Sequence, residues 1–272
     1  MTDALAKAKP EPRIDHPEEL DRMVKQIVAK INPVAIYLFG SRARGDAGED
    51  SDYDLLIVVP DERMNQQIWD DLLAARRDAD LSAELIPARA SGYADWRHEI
   101  GTLSFEVSND GVRLYPSDED IWIESSPPPF DHASMNRRVV ASWLRKVERD
   151  LKMAHLACQP SDPMADQAAY HVQQAAEKLA KAALIAHEIR PRKGHVIKAS
   201  AARLPVEFVH RARFLQLDRF SDYVWAHRYP EEDLSRPPPP EPSLTEAQAW
   251  IAEIEALKAD FERWLAQREA QL

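Results

Sequence analysis

The chain reads LFGSRARG at residues 38–45 and SDYDLLIVV at residues 51–59. This pattern predicts a strand, a tight Gly-Ser turn, a basic loop and a second strand that begins with two carboxylates. Successive side chains point to opposite faces of a strand, so Asp52 and Asp54 present both carboxylates on one side. Mg²⁺ accepts a pair of such oxygens together with waters and the phosphates of a nucleotide. The stretch therefore predicts a metal-dependent site that binds phosphate.

The turn between the two strands has the residue types of a phosphate-binding loop. Gly40 has no side chain to block a phosphate, and Ser41 offers its backbone N–H and its hydroxyl. Arg42 and Arg44 add two cations that can hold a polyphosphate. We therefore predict that Gly40, Ser41, Arg42 and Arg44 bind a nucleoside triphosphate.

These residues resemble the motif of the polymerase-beta-like nucleotidyltransferase superfamily. Its small members carry glycine, serine, about ten residues and then Asp-x-Asp, which is the spacing from Gly40 and Ser41 to Asp52 and Asp54. The resemblance implies a small mixed sheet with flanking helices, ATP as substrate, Mg²⁺ as cofactor and transfer of AMP to a hydroxyl. It also implies that Asp52 and Asp54 hold the metal.

A third carboxylate on a neighbouring strand usually completes such a site, and Glu84 is the candidate. It lies in LSAELI at residues 81–86, a short predicted strand that follows a helix-like stretch at residues 65–78. Glu84 could ligate metal or accept a proton from the attacking hydroxyl. Asp80 is the competing choice. Many relatives have aspartate at this position, so the longer glutamate leaves the detailed geometry open.

Composition limits the cellular context and the partners. The chain has 272 residues, 44% of them hydrophobic and 30% charged, and no stretch approaches the roughly 18 apolar residues of a membrane span. Its start lacks the apolar core of a signal peptide, and Cys158 is the only cysteine, so we expect a cytoplasmic protein without disulfides in which Cys158 faces the core. The net charge of −11 disfavours broad binding to nucleic acid, although the basic runs at 137–138 and 190–193 could form a local patch.

The first part of the chain mixes helix and strand patterns, whereas the last part is helical. Helices are predicted at 17–31, 65–78 and 93–107, and strands at 34–39, 55–59, 83–86 and 112–115. A proline-rich segment, SSPPP at 125–129, breaks regular structure and marks a linker. Beyond it, helices are predicted at 135–157, at 166–187, within 204–223 and after a capping box at 243–246. These features predict an α+β fold class, with an N-terminal domain at residues 1–124, a linker at 125–131 and an all-α domain at 132–272.

The segment 170–184 predicts a helix with one polar and one apolar face. Its polar face carries His171, Gln174, Lys178 and Lys181, and its apolar stripe carries Val172, Ala176, Leu179 and Ala183. Together with Gly194-His195 and the later His227-Arg228-Tyr229-Pro230, this helix resembles the HEPN family of helical bundles. HEPN domains often lie beside minimal nucleotidyltransferases or are fused to them, and they generally pair through their helices. The resemblance therefore implies a helical bundle and a homodimer.

Many HEPN proteins resemble RNases that use an arginine, four to six residues and a histidine. In that chemistry, histidine moves the proton of the ribose 2′-hydroxyl and arginine stabilises the charged phosphate. The candidate pairs are Arg190 with His195, Arg203 with His210, and Arg219 with His227, the last continuing into Arg228 and Tyr229. Seven residues separate Arg219 from His227, which is more than the pattern has. Packing or a dimer interface is therefore the alternative to an RNase with RNA as partner.

Three functions are compatible with these motifs. The first is a Mg²⁺-dependent nucleotidyltransferase that moves AMP from ATP to a hydroxyl. By resemblance, the acceptor is a tyrosine of a HEPN domain, with Tyr229 or Tyr223 as candidates for AMPylation in a toxin–antitoxin-like protein, or a small molecule, as in aminoglycoside nucleotidyltransferases. The second is a HEPN ribonuclease toxin restrained by an antitoxin-like nucleotidyltransferase domain. The third is a non-catalytic nucleotide-sensing or dimerising module, which the occupied catalytic positions disfavour.

Overall fold

The computed structural model divides the chain into two compact units, residues 1–130 and 131–272. It describes residues 17–48, 51–79, 81–116, 132–159, 161–192, 196–223 and 240–270. Several residues singled out from the sequence lie outside this set, namely the linker 125–131, Asp80, His195, His227, Arg228 and Tyr229.

The first unit is a four-stranded mixed sheet with flanking helices, which confirms the predicted architecture. Its strands are β1 (Ala35–Phe39), β2 (Tyr53–Val59), β3 (Ala83–Arg89) and β4 (Val112–Tyr115), in the order β3-β2-β1-β4. The β2–β3 pair is parallel and the other two pairs are antiparallel. The helices of this unit are α1 (Glu18–Ile31), α2 (Gly40–Arg44), α3 (Gln66–Arg77), α4 (Ala90–Trp96) and α5 (Leu103–Asp110).

The two faces of the sheet bury different sets of side chains. On one face, Leu55 and Ile57 of β2 pack in a cluster with buried residues of α1 and α3. On the other face, Leu56 and Val58 pack with residues that include Tyr93 of α4 and Val107 of α5. Because side chains alternate along a strand, Asp54 lies on the face of Leu56 and Val58. The candidate carboxylates are therefore on the side of the sheet that α4 and α5 cover.

Three elements of this unit differ from the predictions. Residues Gly40–Arg44, predicted as a tight turn and a basic loop, form the short helix α2. The helix predicted at 93–107 is two helices, because Gly101 adopts φ +88° and Thr102 accepts a hydrogen bond from the N–H of Phe105 as the N-cap of α5. Strand β3 continues past Pro87 to Arg89, although the predicted strand ended at residue 86. It is an edge strand, where the missing N–H of proline is tolerated because only one side of the strand is paired.

The second unit is a helical bundle. Its helices are α6 (His132–Ala157), α7 (Ala165–Ala186), α8 (Ile197–Ala201), α9 (Arg211–Gln216) and α10 (Leu244–Glu269), with a 3₁₀ turn at Leu217–Phe220. The predicted capping box is confirmed, since Ser243 and Glu246 exchange side-chain to backbone hydrogen bonds at the start of α10. Every helix among the described residues is too short or too polar to cross a membrane.

Helix α7 is the most buried element of the bundle, and it packs against α6 and α10. The four residues of its predicted apolar stripe are fully buried: Val172, Ala176, Leu179 and Ala183. Cys158 is also buried, as predicted, and burial raises the pKa of its thiol. The apolar periodicity of the sequence therefore located the core of this unit.

Candidate active site

The backbone of Gly40, directly after β1, lies against the carboxylate of Asp54. Gly40 has φ +82°, and a Cβ placed on it would lie 1.9 Å from Oδ2 of Asp54. Residues that have a side chain rarely adopt this backbone conformation. A side chain at this position would also overlap the Asp54 carboxylate. Glycine is therefore required at this position for two independent reasons. The predicted proximity of the Gly-Ser turn and the Asp-x-Asp strand is present in the fold.

Strand register brings Asp54 and Glu84 side by side. Asp54 pairs with Phe39 on the antiparallel strand β1 and with Glu84 on the parallel strand β3. Residues in register on neighbouring strands, about 4.8 Å apart, share one face of the sheet. Asp54 is half-buried and Glu84 is exposed, so both side chains are accessible. The fold thus places two of the three candidate acids together.

Asp52 lies just before β2 and is held by a residue that the sequence did not single out. The hydroxyl of Ser82 donates a hydrogen bond to Oδ1 of Asp52, and the N–H of Tyr53 donates to the carbonyl of Ser82 at 2.9 Å. Ser82 precedes Glu84 by the same spacing by which Asp52 precedes Asp54. If the segments before β2 and β3 are assumed to run parallel with Asp54 opposite Glu84, Ser82 falls opposite Asp52.

The acids fit a magnesium ion that substrate helps to bind. In the described part of the chain, no three Asp, Glu, His or Cys side chains converge to form a metal site by themselves. Mg²⁺, however, is usually held by one or two carboxylates together with waters and substrate phosphates. Asp54 and Glu84 supply hard oxygen donors on one face, beside the backbone of Gly40. The donor set suits Mg²⁺ bound jointly with a nucleotide.

The predicted phosphate-binding residues lie in and beside helix α2. Ser41 is half-buried in the first turn of this short helix, and its carbonyl accepts a hydrogen bond from the N–H of Asp46. Nε of Arg42 donates to the carbonyl of Ser51 at 2.8 Å, and its guanidinium lies 4.1 Å from the ring centre of Tyr53. Tyr53 belongs to the core cluster on the sheet face opposite Asp54. Arg42 thereby ties the loop to the start of β2.

Arg44 also has an intramolecular partner. Both Nε and Nη2 of Arg44 donate to the carboxylate of Asp46, at 3.2 and 3.0 Å. The Asp46 side chain is 60% exposed and the Arg44 side chain 26%, so the net stabilisation of this pair is about 0–1 kcal/mol. Binding of a triphosphate by Arg42 and Arg44 stays a prediction.

Sequence profiles of two domain families match the chain. The nucleotidyltransferase domain profile matches residues 20–100, and the HEPN domain profile matches residues 140–264. The chain joins a nucleotidyltransferase domain to a HEPN domain. Both resemblances drawn from the motifs are therefore confirmed, and the nucleotidyltransferase match spans every candidate residue from Gly40 to Glu84. A search of curated proteins finds no significant match.

The HEPN domain contains a network of polar side chains along α6 and α7. Nζ of Lys178 lies 2.5 Å from Oδ2 of Asp150. Glu177 is buried, and it accepts hydrogen bonds from Nε2 of Gln173 at 3.0 Å and from Nζ of Lys181 at 2.6 Å. Gln173 is fully buried. The sequence predicted the polar positions of Lys178 and Lys181 but not the burial of Gln173 and Glu177 among alanines.

The candidate RNase residues are only partly described. The Arg219 guanidinium forms an ion pair with Glu253 of α10 and lies 4.4 Å from the ring centre of Phe220. Arg203 donates to the carbonyl of Arg190 at 2.7 Å, and burial lowers the pKa of His210. These contacts give Arg203 and Arg219 packing roles within the bundle.

Proposed function

We propose that the chain transfers AMP from ATP to an acceptor hydroxyl, with Mg²⁺ bound jointly by the nucleotide and by Asp54 and Glu84. The observation that supports this most strongly is the contact between the side-chain-free backbone of Gly40 and the Asp54 carboxylate. The carboxylate lies directly against the start of the Gly-Ser turn, and it adjoins Glu84 on the neighbouring strand. Asp52, held by Ser82, borders the same site.

The proposed step is an in-line displacement at the α-phosphorus. The acceptor oxygen forms a bond to phosphorus, the bond from phosphorus to the β-phosphate oxygen breaks, and pyrophosphate leaves. Glu84 is exposed beside Asp54 and accepts the proton of the acceptor hydroxyl. The backbone N–H and hydroxyl of Ser41 hold the phosphates that leave. When bound, the metal neutralises the charge that develops on the phosphate oxygens.

The acceptor is proposed to be a tyrosine of the HEPN domain. Of the two candidates, Tyr223 is 8% exposed, and its hydroxyl donates to the carbonyl of Pro240 at 3.3 Å. Burial also raises the pKa of Tyr223, which keeps its phenol protonated. Tyr223 is therefore a poor acceptor in this conformation, which favours Tyr229. A small-molecule acceptor is the alternative.

Intact-mass spectrometry after incubation with ATP and Mg²⁺ tests the proposal. We expect an added mass of one AMP on the wild-type chain, and loss of that mass in Asp54→Asn. Tyr229→Phe loses the modification if Tyr229 is the acceptor. Transfer of labelled AMP to a small molecule but not to protein would favour the alternative acceptor. If neither label transfer nor ATP binding occurs, the proposed function is wrong.

The ribonuclease function receives no comparable support from the described residues. Its best candidate, Arg219, is bound to Glu253. We propose that the HEPN domain instead pairs two copies of the chain. The apolar residues Met153 and Leu156, about 47% and 45% exposed on α6, are candidates for that contact. Light scattering should show a dimer that Met153→Lys with Leu156→Lys dissociates, and a dimer unaffected by this pair of substitutions would exclude that face.

A further inference from the structure

A large cleft opens on the same sheet face as the candidate carboxylates, over β1 and β4. Its volume is about 930 Å³, near the upper end of the range of small-molecule sites. We call it the arginine cleft. Six of the residues that line it carry its chemistry: Tyr37, Tyr93, Arg97, His98, Phe105 and Arg113. All of them belong to the nucleotidyltransferase unit.

The charged side chains on the described wall of the arginine cleft are basic. Among the described residues that line it, two are arginines, one is a histidine and none is Asp or Glu. Nε of Arg97 donates to Nε2 of His98 at 3.1 Å, which orients the guanidinium. Burial and then the neighbouring Tyr37 raise the pKa of Tyr93, whereas the charges of Arg97 and Arg113 lower it. The cleft therefore favours an anion and disfavours a polycation such as an aminoglycoside.

Aromatic rings form the other part of the wall. Tyr37 of β1 and Tyr93 of α4 stack with ring centres 5.4 Å apart. Arg113, the register partner of Tyr37 on β4, lies 5.8 Å from the centre of the Tyr37 ring, and Phe105 of α5 lines the cleft as well. Rings beside guanidinium groups suit a ligand that carries both a planar ring and phosphate.

The arginine cleft lies close to the acids. Tyr37 precedes Phe39 by two residues on the same strand face, which is about 7 Å along β1, and Phe39 is the register partner of Asp54. Helix α5, which lines the cleft, also contacts α2. The cleft and the candidate acids are thus neighbours on one sheet face.

We propose that the arginine cleft binds a nucleoside phosphate through Arg97 and Arg113, in a subsite separate from the carboxylates. This deepens the proposed function and rests on it for the choice of a nucleotide as ligand. It also gives the protein affinity for AMP without metal, because the cationic cleft needs no Mg²⁺ to attract an anion.

The test is isothermal titration of AMP into the full chain without divalent metal. We expect Arg97→Gln and Arg113→Gln each to weaken binding at least about tenfold, the effect of losing a charge-assisted hydrogen bond. Arg76→Gln removes an exposed arginine from α3, which packs on the opposite sheet face, and should leave the affinity within twofold. Arg113→Lys keeps the charge and should retain part of the affinity if the fold is intact.

The two proposals fail in different ways. If no AMP is transferred but Arg97→Gln and Arg113→Gln weaken AMP binding, the proposed reaction is wrong and the proposed binding site in the arginine cleft is supported. Equal AMP affinity in wild type, Arg97→Gln and Arg113→Gln would overturn the cleft assignment whatever the transfer assay shows. Weakening by Arg76→Gln as strong as by Arg113→Gln would also overturn it, because the effect would then be one of general charge.

Discussion

The candidate acids of the nucleotidyltransferase domain and Glu177 of the HEPN domain lie in opposite environments. In the nucleotidyltransferase domain, Asp52 and Glu84 are exposed and Asp54 is half-buried, all at one end of a fully buried sheet core. In the HEPN domain, Glu177 is buried on α7, where it is bound to Gln173 and Lys181.

This difference separates a reactive arrangement from a structural one. Carboxylates side by side on one face repel each other, and a bound cation relieves that repulsion. A buried carboxylate, in contrast, is tolerated only when its charge and hydrogen bonds are satisfied within the fold. We therefore assign the chemistry of the chain to the acids of the nucleotidyltransferase domain, and bundle stability to the polar network of the HEPN domain.

A methyl group added at Gly40 should have the greatest effect on the candidate active site. Gly40→Ala should abolish AMP transfer, because the new Cβ overlaps Oδ2 of Asp54. Gly45→Ala is a matched control, since Gly45 has a similar φ of +77° but its Cβ would meet nothing within 4 Å. It should cost only about 1–2 kcal/mol of backbone strain and leave transfer nearly intact. Equal loss of transfer in both variants would show that the Asp54 contact is unimportant.

The second prediction concerns the HEPN network. Glu177→Met should lower the free energy of unfolding of this domain by about 2 kcal/mol, because it leaves Gln173 and Lys181 without their buried acceptor. Glu255→Met removes an exposed partner of His155 and should cost less than about 1 kcal/mol. Urea denaturation monitored by circular dichroism measures both. If the two substitutions have the same effect, Glu177 is not a structural group.

Much of the nucleotidyltransferase fold was predictable because its turns and strands have strong local patterns. The helix predicted at 17–31 and the strand predicted at 55–59 both formed, the strand two residues longer at its start, whereas the predicted turn and basic loop after β1 form the short helix α2. The split at Gly101 depends on one left-handed residue, and the extension of β3 through Pro87 depends on its edge position. The pattern of apolar and polar residues along the sequence shows neither the backbone conformation of Gly101 nor the position of β3 in the sheet.

The site was less predictable than the fold, because the sequence alone does not show which side chains of neighbouring strands and helices face each other. Glu84 could be proposed from its strand, but its register with Asp54 required the sheet. The cation–π contact of Arg42 with Tyr53 depends on which face of β2 carries the tyrosine. Likewise, the burial of Gln173 follows from neighbouring helices that cover α7 on several sides, and its own sequence does not encode it.

A third prediction concerns pH and has the smallest expected effect. His187 packs against Phe208 and Trp264, and its pKa is lowered by burial and then by Arg268, with Glu207 opposing. The unfolded chain therefore binds a proton at His187 more readily than the folded chain does. Neutral His187 stabilises the fold fully at pH values above its ordinary pKa of about 6.5, and this stabilisation is lost as the pH falls through the lower pKa of the folded state.

Thermal unfolding at pH 7.5 and pH 5 measures this dependence. The HEPN domain of the wild type should lose more stability on acidification than that of His187→Phe, which keeps an aromatic ring but cannot titrate. All other histidines are common to the two proteins, so their contributions cancel in the comparison. Identical pH dependence in the two proteins would show that His187 does not contribute to the loss of stability at low pH.

The central claim is that Asp54, beside Gly40 and Glu84, is the centre of nucleotidyl transfer. The most direct test measures the rate of AMP transfer from α-labelled ATP with Mg²⁺ in wild type, Asp54→Asn and Asp70→Asn. Asp70 is an exposed acid on α3. We predict a loss of about 100-fold or more for Asp54→Asn, because catalysis loses a metal-binding carboxylate worth several kcal/mol, and no change for Asp70→Asn. Transfer at the wild-type rate in Asp54→Asn would contradict the account.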